Sequence, residues 1–367
     1  MGESHGQSGR LRVLIAGGGT GGHVIPALAI GRELVVRYGA ELCYVGTERG
    51  IETRLVPEAG FRLELIHVGQ LKNVSLRTRL RTLTALPRGV LCCMKLLRSF
   101  KPDVVVGVGG YASGPAMMAA VLLRVPTLAY EPNAVPGLAN KLVGRFVTAA
   151  AVNFAETTQF FRHAEVTGVP VREEIFHLPA RPAGAPPRLL VFAGSQGARV
   201  FNEMMPQIIC GLLAEVPGLS VVHQAGARHV VATQAAYAAS GADAARWSVC
   251  AFLDDMPAQY AAADLILCRS GSTVAELAAA GKPALLVPFP AAADDHQRKN
   301  AEVLAKAGAA VMRIEAGLTA TDLQQELVTL LRDPARLAQM SERAKAMAKP
   351  GALQRIAEMV RKAGNRE

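Results

Sequence analysis

Gly17 to His23 form the core of the run GGGTGGHVIP, which follows an apolar stretch, Arg12–Ala16, and precedes a helical pattern. A strand that turns on glycines into a helix N-terminus is a layout that holds a phosphate. The backbone can come close, and unpaired N–H groups and the positive end of the helix dipole face the anion. Gly17, Gly19 and Gly22 satisfy G-x-G-x-x-G, so a dinucleotide cofactor is one reading. Against it, the next strand-like run, Leu42–Val45, ends in Gly46-Thr47, where a dinucleotide site calls for an acid on the ribose. His23 adds a titratable, hydrogen-bonding group at the helix start, the residue type best suited to moving protons near neutral pH.

The same turn recurs. Gly107–Pro115 reads GVGGYASGP after the apolar run Val104–Val106, and Gly194–Arg199 reads GSQGAR after Leu189–Ala193. A cofactor dehydrogenase needs one such loop. Three of them, two in the first half and one in the second, imply a cleft between two nucleotide-type domains. Arg269–Glu276, RSGSTVAE, lies between a strand-like and a helical run. Ser272 suits an N-cap, and Gly271 lets the turn tighten. Glu276, one turn in, can accept bonds from two ribose hydroxyls or simply complement the helix dipole. Pro288–Asn300, PFPAAADDHQRKN, gathers Asp294, Asp295, His296, Gln297 and Asn300 at a helix start. The acids are adjacent and no D-x-D occurs in the chain, so hydrogen bonding to a sugar is favoured over a metal.

Strand-like and helical runs alternate throughout. In the first half these are Arg12–Ala16 β, His23–Tyr38 α, Glu41–Val45 β, Gly50–Ala59 α and Phe61–His67 β; in the second, Arg188–Ala193 β, Ala198–Ala214 α, Leu219–Gln224 β and onward. Such alternation predicts an α/β protein with doubly wound parallel sheets, whose ligands bind at the carboxyl ends of the strands. A chain of 367 residues suggests two domains. Pro170, Pro179, Pro182, Pro186 and Pro187 make His163–Pro187 irregular, which places a linker at 171–187 between domains at 1–170 and 188–350. Residues 351–367 are expected to form a helix that packs back toward the first domain. Val104–Leu123 carries no charge over the length of a membrane helix, but its glycines and Pro115 predict strand, turn and buried helix instead. The six cysteines lack metal-ligand spacing and read as reduced core thiols.

The net charge of +10 implies an anionic partner: nucleic acid, a phosphorylated substrate or a membrane surface. Met1–Arg10 is polar, reads as frayed and has no signal-peptide pattern. Lys72–Lys101 holds Lys72, Arg77, Arg79, Arg81, Arg88, Lys95, Arg98 and Lys101 with no acid, and Leu76, Leu80, Leu83 and Leu86 recur at helical spacing. Ordinary solvated helices mix signs, so this reads as a basic amphipathic surface for an anionic partner.

GGTGGH at Gly18–His23, GGYASGP at Gly109–Pro115, EPN at Glu131–Asn133, PVR at Pro170–Arg172, GSQGAR at Gly194–Arg199, DDM at Asp254–Met256, RSG with Glu276, and DHQ-x-x-NA at Asp295–Ala301 occur in one order. In these motifs, spread over nearly the whole chain, the sequence resembles the MurG family within glycosyltransferase family 28. The resemblance implies a GT-B fold, two Rossmann-like domains with the active site in the cleft between them. It implies an inverting transfer of GlcNAc from UDP-GlcNAc to lipid I, the undecaprenyl-pyrophosphoryl-MurNAc-pentapeptide, giving lipid II for peptidoglycan. The enzyme would be peripheral on the cytoplasmic face of the inner membrane, meeting its anionic surface through Lys72–Lys101. Cell-wall synthesis machinery would be its protein partner, with no nucleic acid, and the sequence by itself requires no cofactor and leaves a divalent ion open. By position, Thr20, Gly21 and Gly22 would approach the donor, Asn133 and Gln297 the GlcNAc, and Arg172 and Ser195 the nucleotide and diphosphate. Leu253 would lie beside the uracil, Glu276 on the ribose after the Ser272-Thr273 turn, and His23, Tyr111 and Asn140 on the acceptor side. His23 is the candidate base or its orienter. Pro132, Val169, His296 and the short Ser272-Thr273 loop depart from the family pattern and bear on the sugar contacts. Three competing readings are a GT-B enzyme that glucosylates diacylglycerol, a nicotinamide-dependent oxidoreductase and a non-enzymatic membrane-binding module.

Overall fold

The computed structural model describes residues 10–67, 76–182 and 184–365, without the side chains of residues 76–85. The chain divides into two compact units. One holds the chain up to Pro170 together with the segment from Gly351 onward; the other is Val171–Pro350.

In the first unit β1 (Arg12–Gly17), β2 (Glu41–Gly46), β3 (Arg62–Leu65), β4 (Val104–Gly109), β5 (Thr127–Glu131), β6 (Ala149–Val152) and β7 (Ala164–Val166) form a parallel sheet ordered β3-β2-β1-β4-β5-β6-β7. In the second, β8 (Arg188–Phe192), β9 (Ser220–Gln224), β10 (Trp247–Cys250), β11 (Leu265–Cys268), β12 (Ala284–Leu286) and β13 (Ala310–Met312) form another, ordered β10-β9-β8-β11-β12-β13. Each order reverses once, between β1 and β4 and between β8 and β11. Loops leaving the strands there part to opposite sides and open a crevice at the carboxyl ends. The glycine turns sit at these two points. Between β1 and β4 the register slips after Ala16, so that Ala16 pairs with Gly107 but Gly17 with Gly109.

The central strands β4, β8 and β11 read as nearly unbroken apolar runs because both faces of each sheet are covered there, whereas the edge strand β3, RLEL, is partly exposed. Within β1, Val13 and Ile15 face one layer, which includes Ile356, Ala357 and Val360 of the C-terminal helix Ala352–Gly364. Leu14 faces the other, with Met117 and Leu97. This two-residue alternation is the pleat itself. The second unit packs Leu189, Val191, Phe201 and Leu212 into its own core. The uncharged run over residues 104–123 is β4, a turn, and the helix Ser113–Leu122 with Pro115 in its first turn, where a missing N–H costs nothing. Among the described residues no helix is long and apolar enough to cross a membrane.

Some expectations are corrected. The stretch expected to be irregular, residues 163–187, contains β7, paired to β6, and the short helix Glu173–Phe176. Three residues carry too little alternation to announce a strand, which here is defined by the neighbour that pairs it. Cys43, Cys93 and Cys268 are core thiols, but Cys92 and Cys210 are exposed, on outward positions of helices. Ser272 precedes the helix Thr273–Ala280, yet its backbone is already helical (φ −59°, ψ −21°) and its hydroxyl makes no capping bond. The frayed segment expected at residues 1–10 lies outside the described residues except for Arg10. So do Lys72 and the side chains of Arg77, Arg79 and Arg81, although the helix Leu76–Phe100 itself is present.

His223, on β9, is fully buried. Its Nδ1 lies 3.1 Å from the Tyr237 hydroxyl, and its Nε2 has no hydrogen-bond partner. Burial pushes the imidazole down to about 3 from an ordinary 6.5. The folded unit therefore keeps His223 neutral where the unfolded chain takes up a proton. The stability this site contributes is whole above about pH 6.5 and drains as pH falls toward about 3, by up to ~1.4 kcal/mol per pH unit. Trp247, the sole tryptophan, packs 5.1 Å from Tyr237 and reports on this core. Urea unfolding followed by its fluorescence between pH 4 and 7 is expected to show that slope, and His223→Gln to flatten it; equal slopes would contradict the assignment.

Candidate functional site

In the first unit two glycine loops touch. Gly109, which ends β4, and Gly110, which follows it, adopt φ of 94° and 82°, a region that disfavours side chains. A Cβ on Gly110 would stand 2.3 Å from the Gly18 carbonyl oxygen, so only glycine lets the loops meet. A Cβ on Gly109 would stand 2.9 Å from the His23 ring, which therefore packs directly on backbone. His23 Nδ1 lies 3.2 Å from Gly18 O and 3.4 Å from Thr20 Oγ1. A carbonyl can only accept, so a hydrogen bond to Gly18 puts the proton on Nδ1 and leaves the lone pair of the neutral ring on Nε2. Tyr111, 40% exposed, stands in the loop after β4.

The expectation that the first glycine turn cradles a phosphate needs revision at one residue. The Gly19 N–H is directed inward and donates to Glu52 Oε2 at 2.7 Å. Glu52 is 1% exposed and was not singled out from the sequence. Nothing in the local pattern separates it from Glu58, the other acid of the helix Glu52–Glu58.

After β5, Glu131 organises the EPN motif. Its side chain accepts from the Asn133 backbone (3.1 Å) and amide (2.9 Å), from Gly137 N (3.0 Å) and from Asn140 Nδ2 (3.0 Å). Burial raises its pKa, and these bonds oppose the rise. Asn140, expected on the acceptor side, also donates to Tyr130 O and is only 2% exposed, so it stands behind the loop and shapes it. Asn133, half-buried, is held at the front.

In the second unit the GSQGAR loop interlocks with a partner that the sequence reading passed over, residues 225–226. Cβ atoms on Gly197 and Gly226 would stand 2.1 Å from Ala225 O and Gln196 O, and both glycines have positive φ, 69° and 85°. Gln224 Nε2 secures the loop through Gly194 O at 2.8 Å. Ser195 is exposed at its tip. After β11, Arg269 donates to the carbonyls of Val287 (2.9 Å) and Pro288 (3.0 Å), pairs with Glu315, and lies over the rings of Phe201 and Phe289. Arg269 thereby ties the loop after β11 to the loop after β12. Ser270 Oγ donates to Gln297 O at 2.7 Å, and Gln297 Oε1 accepts from Phe289 N at 3.0 Å. Asp294 and Asp295 both sit in the left-handed region (φ 55° each), strain that concentrates at functional loops.

Glu276, half-buried in the first turn of Thr273–Ala280, accepts from the Tyr260 hydroxyl through Oε2 at 2.6 Å. Burial, then the neighbouring Glu276 carboxylate, holds the Tyr260 phenol well above its usual range, so it stays a donor. Tyr260 is fully buried, and its ring meets Phe192 edge-on. It sits in an alanine-rich helix, Met256–Ala262, with no motif to flag it. Arg172 is exposed, pairs with Glu174 at 3.0 Å, and its charge also acts on Tyr260. Leu253 is half-buried just before Asp255, which caps that helix by accepting from Ala258 N. Thr273 opens the Glu276 helix. With Tyr260 on Oε2, Oε1 is the oxygen that a ligand diol would engage. Glu276→Ala is expected to weaken binding of a nucleotide sugar by ~1–3 kcal/mol, and Tyr260→Phe, which only loosens the carboxylate, by ~1 kcal/mol. Titration calorimetry checks both; unchanged affinity in Glu276→Ala would take this acid out of the site.

Comparison with known proteins places this geometry. Residues 13–152 match the glycosyltransferase family 28 N-terminal domain and residues 188–356 its C-terminal domain. A protein of Anaeromyxobacter sp. (strain Fw109-5) is 45% identical over 95% of this chain and 92% of its own length. It is named UDP-N-acetylglucosamine–N-acetylmuramyl-(pentapeptide) pyrophosphoryl-undecaprenol N-acetylglucosamine transferase. A protein of the same name from Myxococcus xanthus is 42% identical over 95% of this chain and 92% of its own. The crystal structure of MurG from Acinetobacter baumannii superposes with a TM-score of 0.80 at 32% identity, over 96% of this chain and 99% of that one. The two α/β units are thus the two halves of a GT-B fold, and the chain belongs to glycosyltransferase family 28.

Proposed function

We propose that the protein transfers GlcNAc from UDP-GlcNAc to the C4 hydroxyl of MurNAc in lipid I, forming lipid II. The observation that carries this reading is the 45% identity, over 95% of the chain, to a relative named for that reaction. The geometry of both units supports it. Glu276, oriented by Tyr260, takes the ribose hydroxyls. Leu253 flanks the uracil. Arg172, Ser195 and the N–H groups at helix N-termini meet the diphosphate, and Asn133 and Gln297 the sugar, with Thr20, Gly21 and Gly22 approaching the donor. The acceptor hydroxyl attacks the anomeric carbon as the bond to UDP breaks, with inversion to a β-1,4 link. The hydroxyl proton passes to a general base. His23 suits that role, because its bond to Gly18 leaves the Nε2 lone pair as the basic atom. Charge building on UDP is met by preorganised donors, and the reading assigns no step to a cofactor.

The acceptor's lipid accounts for the basic face. Among described side chains, Arg88, Lys95, Arg98 and Leu91 are exposed on the helix Leu76–Phe100. The helix Leu138–Val143 exposes Leu138, Lys141 and Leu142, followed by Arg145 and Phe146, 68% exposed. Cations with apolar side chains among them fit a peripheral contact with anionic lipid, here the cytoplasmic face of the inner membrane.

Transfer of labelled GlcNAc to a short-chain lipid I analogue is the deciding assay. Wild type is expected to transfer, and His23→Ala to lose about 10²–10⁴-fold with UDP affinity retained. Tight UDP binding without transfer to this acceptor would instead favour another lipid acceptor. Binding to vesicles containing anionic lipid is expected to weaken as salt rises from 0.05 to ~0.5 M, because the Debye length falls well below 10 Å. Sedimentation with vesicles measures it; salt-independent binding would leave apolar insertion as the sole contact.

A further inference from the structure

The geometry points to Glu52 as a positioning residue that sets the catalytic loop of the first unit. Its carboxylate is buried, and among the described residues no lysine or arginine pairs with it. Three donors hold it instead. Oε2 accepts from Gly19 N at 2.7 Å, and Oε1 accepts from Thr47 N at 2.8 Å and Thr47 Oγ1 at 3.1 Å. One acid thereby joins the loop after β1 to the loop after β2.

The space it fills is kept open by three glycines. A Cβ on Gly18 would stand 2.1 Å from Oε1, one on Gly46 2.4 Å from Cγ, and one on Gly50 1.9 Å from Oε2. Gly18 therefore has the carboxylate on one side and Gly110 on another, and its carbonyl lies 3.2 Å from His23 Nδ1. The position and tautomer of the His23 ring follow the Gly18 peptide, and the Gly18 peptide is placed by Glu52. A carboxylate buried without a cation is tolerated only where donors surround it, as they do here, and an apolar side chain in its place would leave the Gly19 and Thr47 N–H groups without an acceptor. What the acid provides and a hydrocarbon cannot is a directional hold on the Gly19 and Thr47 N–H groups.

This inference rests on the transferase reading for its kinetic consequence but not for its structural one, and the two are tested separately in the full-length protein. Glu52→Gln keeps the shape but replaces one accepting oxygen with an amide that opposes an N–H. The catalytic turnover of GlcNAc transfer is expected to fall about ten- to hundredfold, as for a small misplacement of a catalytic group. The KM for UDP-GlcNAc is expected to rise by less than the turnover falls, since Thr20, Gly21 and Gly22 of this loop approach the donor but the ribose and diphosphate groups assigned above lie on the other unit. The ¹⁵N shifts of the His23 ring are expected to move toward a changed tautomer balance. Thr47→Val, which removes one hydroxyl donor and leaves the Gly19 bond, should move the same resonances less, and it decides the matter if Glu52→Gln does not fold. Unmoved His23 resonances in folded Glu52→Gln, or wild-type turnover, would overturn the proposal. So would a KM for UDP-GlcNAc that rises in step with the loss of turnover. If wild type transfers nothing while the His23 resonances still move in Glu52→Gln, the transferase reading fails and the positioning role stands.

Discussion

The approach of one backbone to another at the sheet switch points governs the rest of the site. In the first unit Gly110 lies against Gly18, and in the second Gly197 and Gly226 lie against the carbonyls of Ala225 and Gln196. None of these contacts leaves room for a methyl group. Bringing peptides this close places N–H groups, carbonyls and one imidazole where larger residues would have spaced them apart. The cost is entropic, because glycine surrenders the most freedom on folding. It is met by the cores beneath, where residues such as Val13, Ile15, Val104 and Leu267 lose all exposure.

The two units solve the same problem of orientation with different chemistry. The first uses buried acids, Glu52 and Glu131, each held by N–H, hydroxyl or amide donors and, among the described residues, by no cation, to pull loops inward from behind. The second uses Arg269, whose planar guanidinium between two aromatic rings reaches two carbonyls and an acid at once. It also uses Tyr260, a buried phenol that stays protonated beside Glu276. In both, the residues at the front of the loop are half-buried or exposed, while the residue that aims them is hidden. Asn140 belongs with the hidden residues, since its Nδ2 donates to both Glu131 and Tyr130.

Most of the fold was legible in the chain, since alternating apolar runs of strand and helix length leave few options beyond parallel sheets with helices on both faces. The glycine turns were legible because glycine is costly elsewhere and its positive φ is needed here. β7 was not, because three residues hold no period. The order of the strands was not either, because β4 lies beside β1 while two other strands intervene in sequence. Tyr260, Glu52 and Gln224 stayed hidden because a tyrosine among alanines, an acid in a charged helix and a glutamine ending a strand are ordinary locally. Each acts on a loop from another part of the chain.

The sequence by itself determined the fold class, the three glycine turns and the family, because these depend on local geometry and on motif order. Only the tertiary structure decided which groups aim the side chains and loops of the site. It set Glu52 behind Gly18, Tyr260 under Glu276 and Asn140 between Tyr130 and Glu131. A hydrogen bond is fixed by distance and direction, and between residues dozens of positions apart those are properties of the packed sheets rather than of any stretch of chain.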